Sequence, residues 1–260
     1  MKTNFHTHHE LCRHAGGNAE DYIKEAVKHG FTEIGFSDHA PNDTYDFGYR
    51  MRDEDFLQYV NDINTTKRRY SDILTTYIGL EIEHLYDNGE YHNQFKDHLD
   101  YFILGQHFIF VDKDPKKRIS SFGLTSKEEI IEYGNILCDA MKTKRYKIVA
   151  HPELYLYGYL DFDATAEQVA RQICECANRT NTILEYNGNG YRRDKIQTNE
   201  GMIHPYPRQS FWNIAEEYNV RSILSSDCHS PKQLYDDTMK EVEEIYSKLS
   251  TRKVTYFEQF

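Results

Sequence analysis

The chain is short of several features by which proteins are commonly sorted. Its five cysteines, Cys12, Cys138, Cys174, Cys176 and Cys228, are odd in number and scattered, and no two form a Cys-x-x-Cys pair. Neither a disulfide framework nor a thiolate zinc knuckle is suggested, and the thiols read as reduced and mostly buried. No apolar run approaches the roughly 20 residues that span a bilayer, and the opening stretch MKTNFHTHHE lacks the apolar core of a secretory signal, so a cytoplasmic location is expected. Basic residues are outnumbered, 31 Lys and Arg against 42 Asp and Glu, for a net charge of −11. Neither nucleic acid held by its phosphates nor an anionic membrane is therefore an expected partner. No GxGxxG or GxxxxGK turn occurs, which removes the common ways of cradling a nucleotide.

What the chain does have is 260 residues, 39% hydrophobic and 14% aromatic, enough to bury a sizeable core. Without an internal repeat, low-complexity segment or linker, residues 1–260 read as one domain. Short apolar or β-branched runs at 3–5, 33–37, 76–82, 101–105, 147–150, 182–186 and 221–225 suit strands buried on both faces. Helical spacing and start signals lie between them: Asn18 with Asp21, Ser126 with Glu129, and Thr165 with Gln168, with further apolar stripes over 52–67, 208–218 and 234–249. Strand and helix alternate throughout. That order implies a parallel sheet with right-handed crossovers, and seven units without a nucleotide turn favour an α/β fold closed as a TIM-like barrel.

Thirteen histidines are the remaining peculiarity, and their placement is informative. His6 and His8 flank Thr7 at the end of the first run, where two-residue alternation turns both rings to one side. Asp38-His39, Glu81, His107, His151 and Asp227-Cys228-His229 lie at or just past the C-terminal ends of later runs. In a parallel barrel these ends converge on one rim, so six of seven strands deliver a metal-type ligand there. Gathered without a cation, such groups would leave unpaired buried polar atoms costing roughly 1–3 kcal/mol each. Carboxylates with imidazoles select Zn, Fe, Co or Mn over Ca and Mg.

His6-x-His8, His14, Asp38-His39, Glu81, His107, His151 and Asp227-x-His229, spread over the chain, resemble the PHP (polymerase and histidinol phosphatase) superfamily. The runs GFSDHAP at 35–41 and LGQH at 104–107, with Leu184–Asn187 followed by Gly190, are most similar to its histidinol-phosphate phosphatase type. The resemblance implies a distorted (β/α)7 barrel with three divalent transition-metal ions, Zn, Fe or Mn, at the rim. It assigns His6, His8, Glu81 and Asp227 to one ion; Glu81, His107 and His151 to a second; and His14, His39 and His229 to the third. The implied activity is hydrolysis of a small phosphate monoester, best L-histidinol phosphate in histidine biosynthesis, by a metal-bridging hydroxide. Glu81, Asp227 and His229 are the residues placed closest to that chemistry.

Substrate contacts are expected from Asn187 and from among Arg50, Arg52, Arg192 and Arg193, for which solvated surface arginines are the alternative. Phosphatases of this type often carry an arginine shortly after the His151 position, whereas this chain continues Pro152-Glu153-Leu154-Tyr155-Leu156-Tyr157. Asp38 is either a carboxylate behind a ligating imidazole or a local cap. His9, His29, His84, His92, His98 and His204 are expected at the surface, with only His9 and His204 near the pocket, and Cys12 and Cys228 are expected to pack. The alternatives are a phosphoesterase for nucleotides or phosphotyrosine proteins, an amidohydrolase-type enzyme cleaving a C–N bond, and a PHP module without catalysis. Oligomeric state is left open.

Overall fold

All seven expected runs form strands in a computed structural model that describes residues 2–42, 48–114 and 116–260. They are β1 (Thr3–Asn4), β2 (Glu33–Phe36), β3 (Thr75–Ile82), β4 (Tyr101–Leu104), β5 (Ile148–Val149), β6 (Ile183–Asn187) and β7 (Arg221–Ser225). Each pairs in parallel with the next in chain order. An eighth strand, β8 (Arg252–Lys253), joins β7; its two residues are charged and exposed, so no hydrophobic pattern announces it. Among the described residues no ladder joins β8 to β1. The ring is instead completed by one parallel bridge between Thr7 and Cys228, where His8 N–H donates to Cys228 O at 3.0 Å, and by Ser226 N–H donating to Asn4 Oδ1 at 2.7 Å. This is the distortion of the barrel, and it sets the chain after β1 beside the chain after β7.

Six helices make the crossovers: α1 (Ala19–Lys28), α2 (Phe56–Arg69), α3 (Lys127–Lys142), α4 (Ala164–Thr180), α5 (Gln209–Glu217) and α6 (Asp237–Ser247). Reciprocal capping boxes form at Asn18 with Asp21 and at Ser126 with Glu129. The third expected start is displaced: Asp163, not Thr165, caps α4, because its carboxylate accepts both Thr165 N–H and Ala166 N–H. Between β3 and β4 lie the four-residue helix Glu90–Asn93 and the 3-10 turn Lys96–His98. Among the described residues, no helix is long and apolar enough to cross a membrane.

The larger core lies between sheet and helices, with Phe36, Ile82, Leu137, Ile173 and Trp212 buried in it. A second core fills the barrel: Phe5, Tyr101, Ile103, Ile148, Ile183 and Ile223. Phe257 and Phe260 close the end where the strands begin, Phe260 lying 4.8 Å from Phe5 and Phe257 stacking on Tyr77 at 3.9 Å. Phe257 N–H is tied to the carboxylate of Glu33, the first residue of β2. One end is thus stoppered by aromatic rings, which leaves the other end for polar side chains.

Tyr101 crosses the barrel interior to donate to Phe5 O at 2.6 Å. Gly79 makes room for its ring, since a Cβ there would lie 2.6–2.8 Å from three ring atoms. Gly79→Ala should therefore destabilise the fold by about 1–3 kcal/mol through overpacking, measured as a lowered urea midpoint at unchanged slope.

Candidate metal centre

The open end gathers residues from six strand ends. Glu81, the seventh residue of β3, is buried at its middle. Its Oε2 lies 2.9 Å from His39 Nδ1, 3.3 Å from His6 Nε2 and 3.4 Å from His8 Nε2; its Oε1 lies 3.2 Å from His151 Nε2 and 3.4 Å from His107 Nε2. Asp227 Oδ1 stands 3.2 Å from His8 Nε2 and 3.5 Å from His6 Nε2. His229 stacks on His8 with ring centres 4.4 Å apart and meets His14, Nε2 to Nε2, at 3.0 Å. All nine residues proposed as ligands from the sequence thus meet in one cluster. His151 and Asp227 reach it with φ of 32° and 46°, left-handed conformations that cost of order 1–3 kcal/mol each in a non-glycine residue.

The partner behind each ring decides which nitrogen carries the proton. His6 Nδ1 faces Glu185 Oε1 at 2.7 Å, His14 Nδ1 faces Cys12 O at 2.9 Å, His107 Nδ1 faces Glu83 Oε1 at 3.0 Å, and His229 Nδ1 faces Asp227 O at 3.1 Å. Carboxylate and carbonyl oxygens only accept, so each neutral ring keeps its proton on Nδ1 and turns the Nε2 lone pair inward. Lone pairs then confront one another between His14 and His229, and confront Glu81 and Asp227 elsewhere. Glu81 Oε1, although within 3.4 Å of two imidazole nitrogens, is aligned with neither and is buried without a hydrogen-bond partner. Such an arrangement is repulsive unless positive charge lies within it. Four overlapping sets, His6/His8/Glu81, His8/His39/His229, His39/Glu81/His107 and His8/Cys12/Asp38, each hold their donor atoms within 4.8 Å of one another. Mixed imidazole and carboxylate donors of this kind fit divalent transition metals.

Without such ions, protons take up part of the charge. Burial pulls the His6 pKa down, but Glu185, Asp227 and Glu81 outweigh it and hold His6 well above the ordinary value of 6.5; Glu81, against burial, also raises His151. Burial lowers His39 and His14, and brings His229 to about 4 with help from His8. Burial would raise Glu81 and Asp227, but the surrounding imidazoles, His39 foremost at Glu81 and His6 at Asp227, hold both carboxyls well below their usual range.

Several supporting groups escaped the sequence reading. Glu185 on β6 accepts from His151 N–H at 3.0 Å as well as facing His6. Glu83 accepts from His107 N–H at 2.9 Å and faces its ring. Both are acidic residues in otherwise apolar surroundings near a strand end, which is the signal that could have found them. Cys12, expected only to pack, takes His39 N–H on its sulfur at 3.0 Å and touches His8 Nδ1 at 3.2 Å. Gly105 leaves space for Glu81: a Cβ there would fall 2.0 Å from Oε1. Asp38 backs no ligating ring; it accepts His9 N–H at 2.8 Å and lies 2.6 Å from His9 Nδ1. His9, His84 and His92 are buried rather than at the surface, His84 within 3.2 Å of Tyr146 Oη, and neither His9 nor His204 lines the cavity beside the cluster.

That cavity measures about 500 Å3 and is bounded by Tyr49, Arg50, Phe122, Arg193 and Tyr206 among others. The expected substrate residues divide there. Arg192 is committed to Asp236, Ser226 and Gln233 through five hydrogen bonds. Asn187 gives its amide to Glu185 at 2.7 Å and Asp227 at 3.1 Å, so it braces the cluster rather than presenting itself to the cavity. Arg52 is exposed beside Glu54, and Arg50 is paired with Glu83 at 2.6 Å. Arg193 donates Nε–H to Tyr206 Oη at 3.0 Å and lies over Phe122 at 5.3 Å and Tyr157 at 5.7 Å. A cation from the chain after β6 thus reaches Tyr157, in the arginine-free segment after His151.

Residues 4–189 match the PHP domain family. Among curated relatives, a "probable histidinol-phosphatase" of Schizosaccharomyces pombe is 26% identical, covering 90% of this chain and 82% of its own. A histidinol-phosphatase of Bacillus subtilis is 25% identical, covering 88% and 94%. Among solved structures, histidinol phosphate phosphatase from Lactococcus lactis, complexed with zinc, L-histidinol and phosphate, superposes with a TM-score of 0.69 at 17% identity over 97% of this chain and 95% of its own. That likeness shows the same fold.

The raised His6 and His151 fix a pH dependence. Their bound protons stabilise the metal-free protein fully below the unfolded pKa of ~6.5, and this is lost as pH rises through the higher folded values. Cations must displace the same protons. With chelator present, the melting temperature should fall as pH is raised above ~6.5, while the increase in melting temperature caused by added Mn should grow over the same range.

Proposed function

The chain belongs to the PHP domain family, and on that premise we propose that it is a metal-dependent phosphatase hydrolysing L-histidinol phosphate to L-histidinol and phosphate. The observation that carries the reading is the ring of inward lone pairs around Glu81, opening on a cavity with an arginine in its wall. The substrate is supported by the curated relatives, which match most of this chain and carry histidinol-phosphatase names. Residues 1–260 act as one unit, because the strands run from Thr3 to Lys253.

Three divalent ions, of Zn, Fe or Mn, would be held by His6, His8, Glu81 and Asp227; by Glu81, His107 and His151; and by His14, His39 and His229. When bound, they supply the positive charge that a phosphate dianion needs and lower the pKa of water. The chain's own residues do the rest. Glu185, Glu83 and the carbonyls of Cys12 and Asp227 hold their histidines in the tautomer that turns Nε2 inward. Asn187 and Asn189 donate to Asp227 Oδ2 at 3.1 and 3.3 Å, which keeps Oδ1 turned to His6 and His8. Arg193, braced by Tyr206, offers its Nη atoms to the phosphoryl oxygens, and Phe122 and Tyr206 shield that contact from water.

With Mn or Zn supplied, kcat/KM for histidinol phosphate should exceed that for nucleoside monophosphates, a phosphotyrosine peptide and cyclic amides by at least ~10-fold, a margin of about 1.4 kcal/mol. An advantage of only a few-fold would overturn the substrate. Glu81→Gln should lower kcat by roughly 100- to 1,000-fold with its structure intact. Arg193→Met should act chiefly on KM, raising it about tenfold, since it removes a contact made to bound substrate.

A further inference from the structure

We propose that Glu83 is a positioning residue that couples Arg50, on the cavity wall, to His107, so that the charge of Arg50 sets how firmly His107 turns its Nε2 inward. The proposal rests on reading His107 as a metal ligand. Glu83 stands two residues beyond Glu81 and is 1% exposed. Its two oxygens serve three groups: Oε1 lies 2.6 Å from Arg50 Nη2 and 3.0 Å from His107 Nδ1, and Oε2 accepts His107 N–H at 2.9 Å. The carboxylate therefore grips His107 at both backbone and ring.

A carboxylate taken from water is unfavourable unless charge and hydrogen bonds compensate it, and the buried guanidinium of Arg50 supplies the charge. Fixed in place by Arg50, Glu83 Oε1 is set to accept from His107 Nδ1, and the opposite nitrogen faces Glu81 Oε1 at 3.4 Å. Removing Arg50 would take away the partner that fixes Oε1 and leave His107, through its N–H and its ring, to hold the carboxylate. Arg50 also borders the cavity with His39 and Glu81, so the cation that steadies Glu83 is one that an anionic substrate approaches. The link runs through one shared oxygen atom.

The test compares Arg50→Met, Glu83→Gln, the double variant and Arg50→Lys in the 260-residue chain. In the metal-free state, imidazole 15N shifts report the His107 tautomer; titration calorimetry with Mn reports metal affinity. The wild type should show His107 protonated on Nδ1 alone. Arg50→Met should lose that signature and bind Mn about tenfold more weakly although it removes no ligand. The double variant should be no weaker than Glu83→Gln, the non-additivity of a shared path, and Arg50→Lys, which retains the charge, should restore both readouts most of the way. Wild-type His107 shifts and Mn affinity in Arg50→Met, or additive losses in the double variant, would overturn the coupling. Neither readout uses a phosphate ester. A wild type that failed to hydrolyse histidinol phosphate would remove the proposed function and leave this coupling intact, whereas an active wild type with an indifferent Arg50→Met would remove the coupling alone.

Discussion

The organisation of the open end of this barrel follows from one constraint: electron pairs that repel each other have been brought to 2.9–3.4 Å. His14 faces His229, His6 faces His8, and Glu81 faces five imidazoles. Side chains left to themselves would rotate away or take up protons. What prevents rotation at His6, His14, His107 and His229 is a second tier of acceptors behind the rings, so that each of these four is gripped from the side opposite its lone pair. The left-handed backbone at His151 and Asp227 belongs to the same pattern, since conformational strain is accepted where a side chain must be aimed.

The fold makes this possible by separating two environments along one axis. Aromatic rings from β4 and the C-terminal segment fill and seal the end where the strands begin. At the other end, the bridge between Thr7 and Cys228 replaces a full ladder, and the polypeptide leaving β1 and β7 is therefore free to turn ligating side chains inward rather than continue in regular pairing. The incomplete closure is thus part of how His8 and His229 come to stack.

Much of this was legible in the sequence because it is periodic or punctuated. Strands buried on both faces appear as apolar runs, two capping boxes appear as residue pairs three apart, and the inward residues appear as histidines and acids just past the runs. What stayed hidden depends on partners distant in the chain. Whether Arg192 greets a ligand or a neighbour is decided by Asp236 and Ser226, more than thirty residues away. Asn187 looks available until Glu185 and Asp227 are seen to occupy its amide. His84 and His92 carry polar rings in polar stretches, yet Tyr146 and its surroundings enclose them. The eighth strand has no pattern at all, being two charged residues whose backbone alone takes part.

Gly105 never contacts a neighbour through a side chain, and yet the position of Glu81 is conditional on it. Even a methyl group would occupy the volume of the carboxylate on which five imidazoles converge. An alanine at 105 would therefore cripple a centre while every one of its donors was still encoded. A search for disabled copies of this gene that inspected only histidines and acids would pass over such a lesion, because the defect would be a presence where empty space is required.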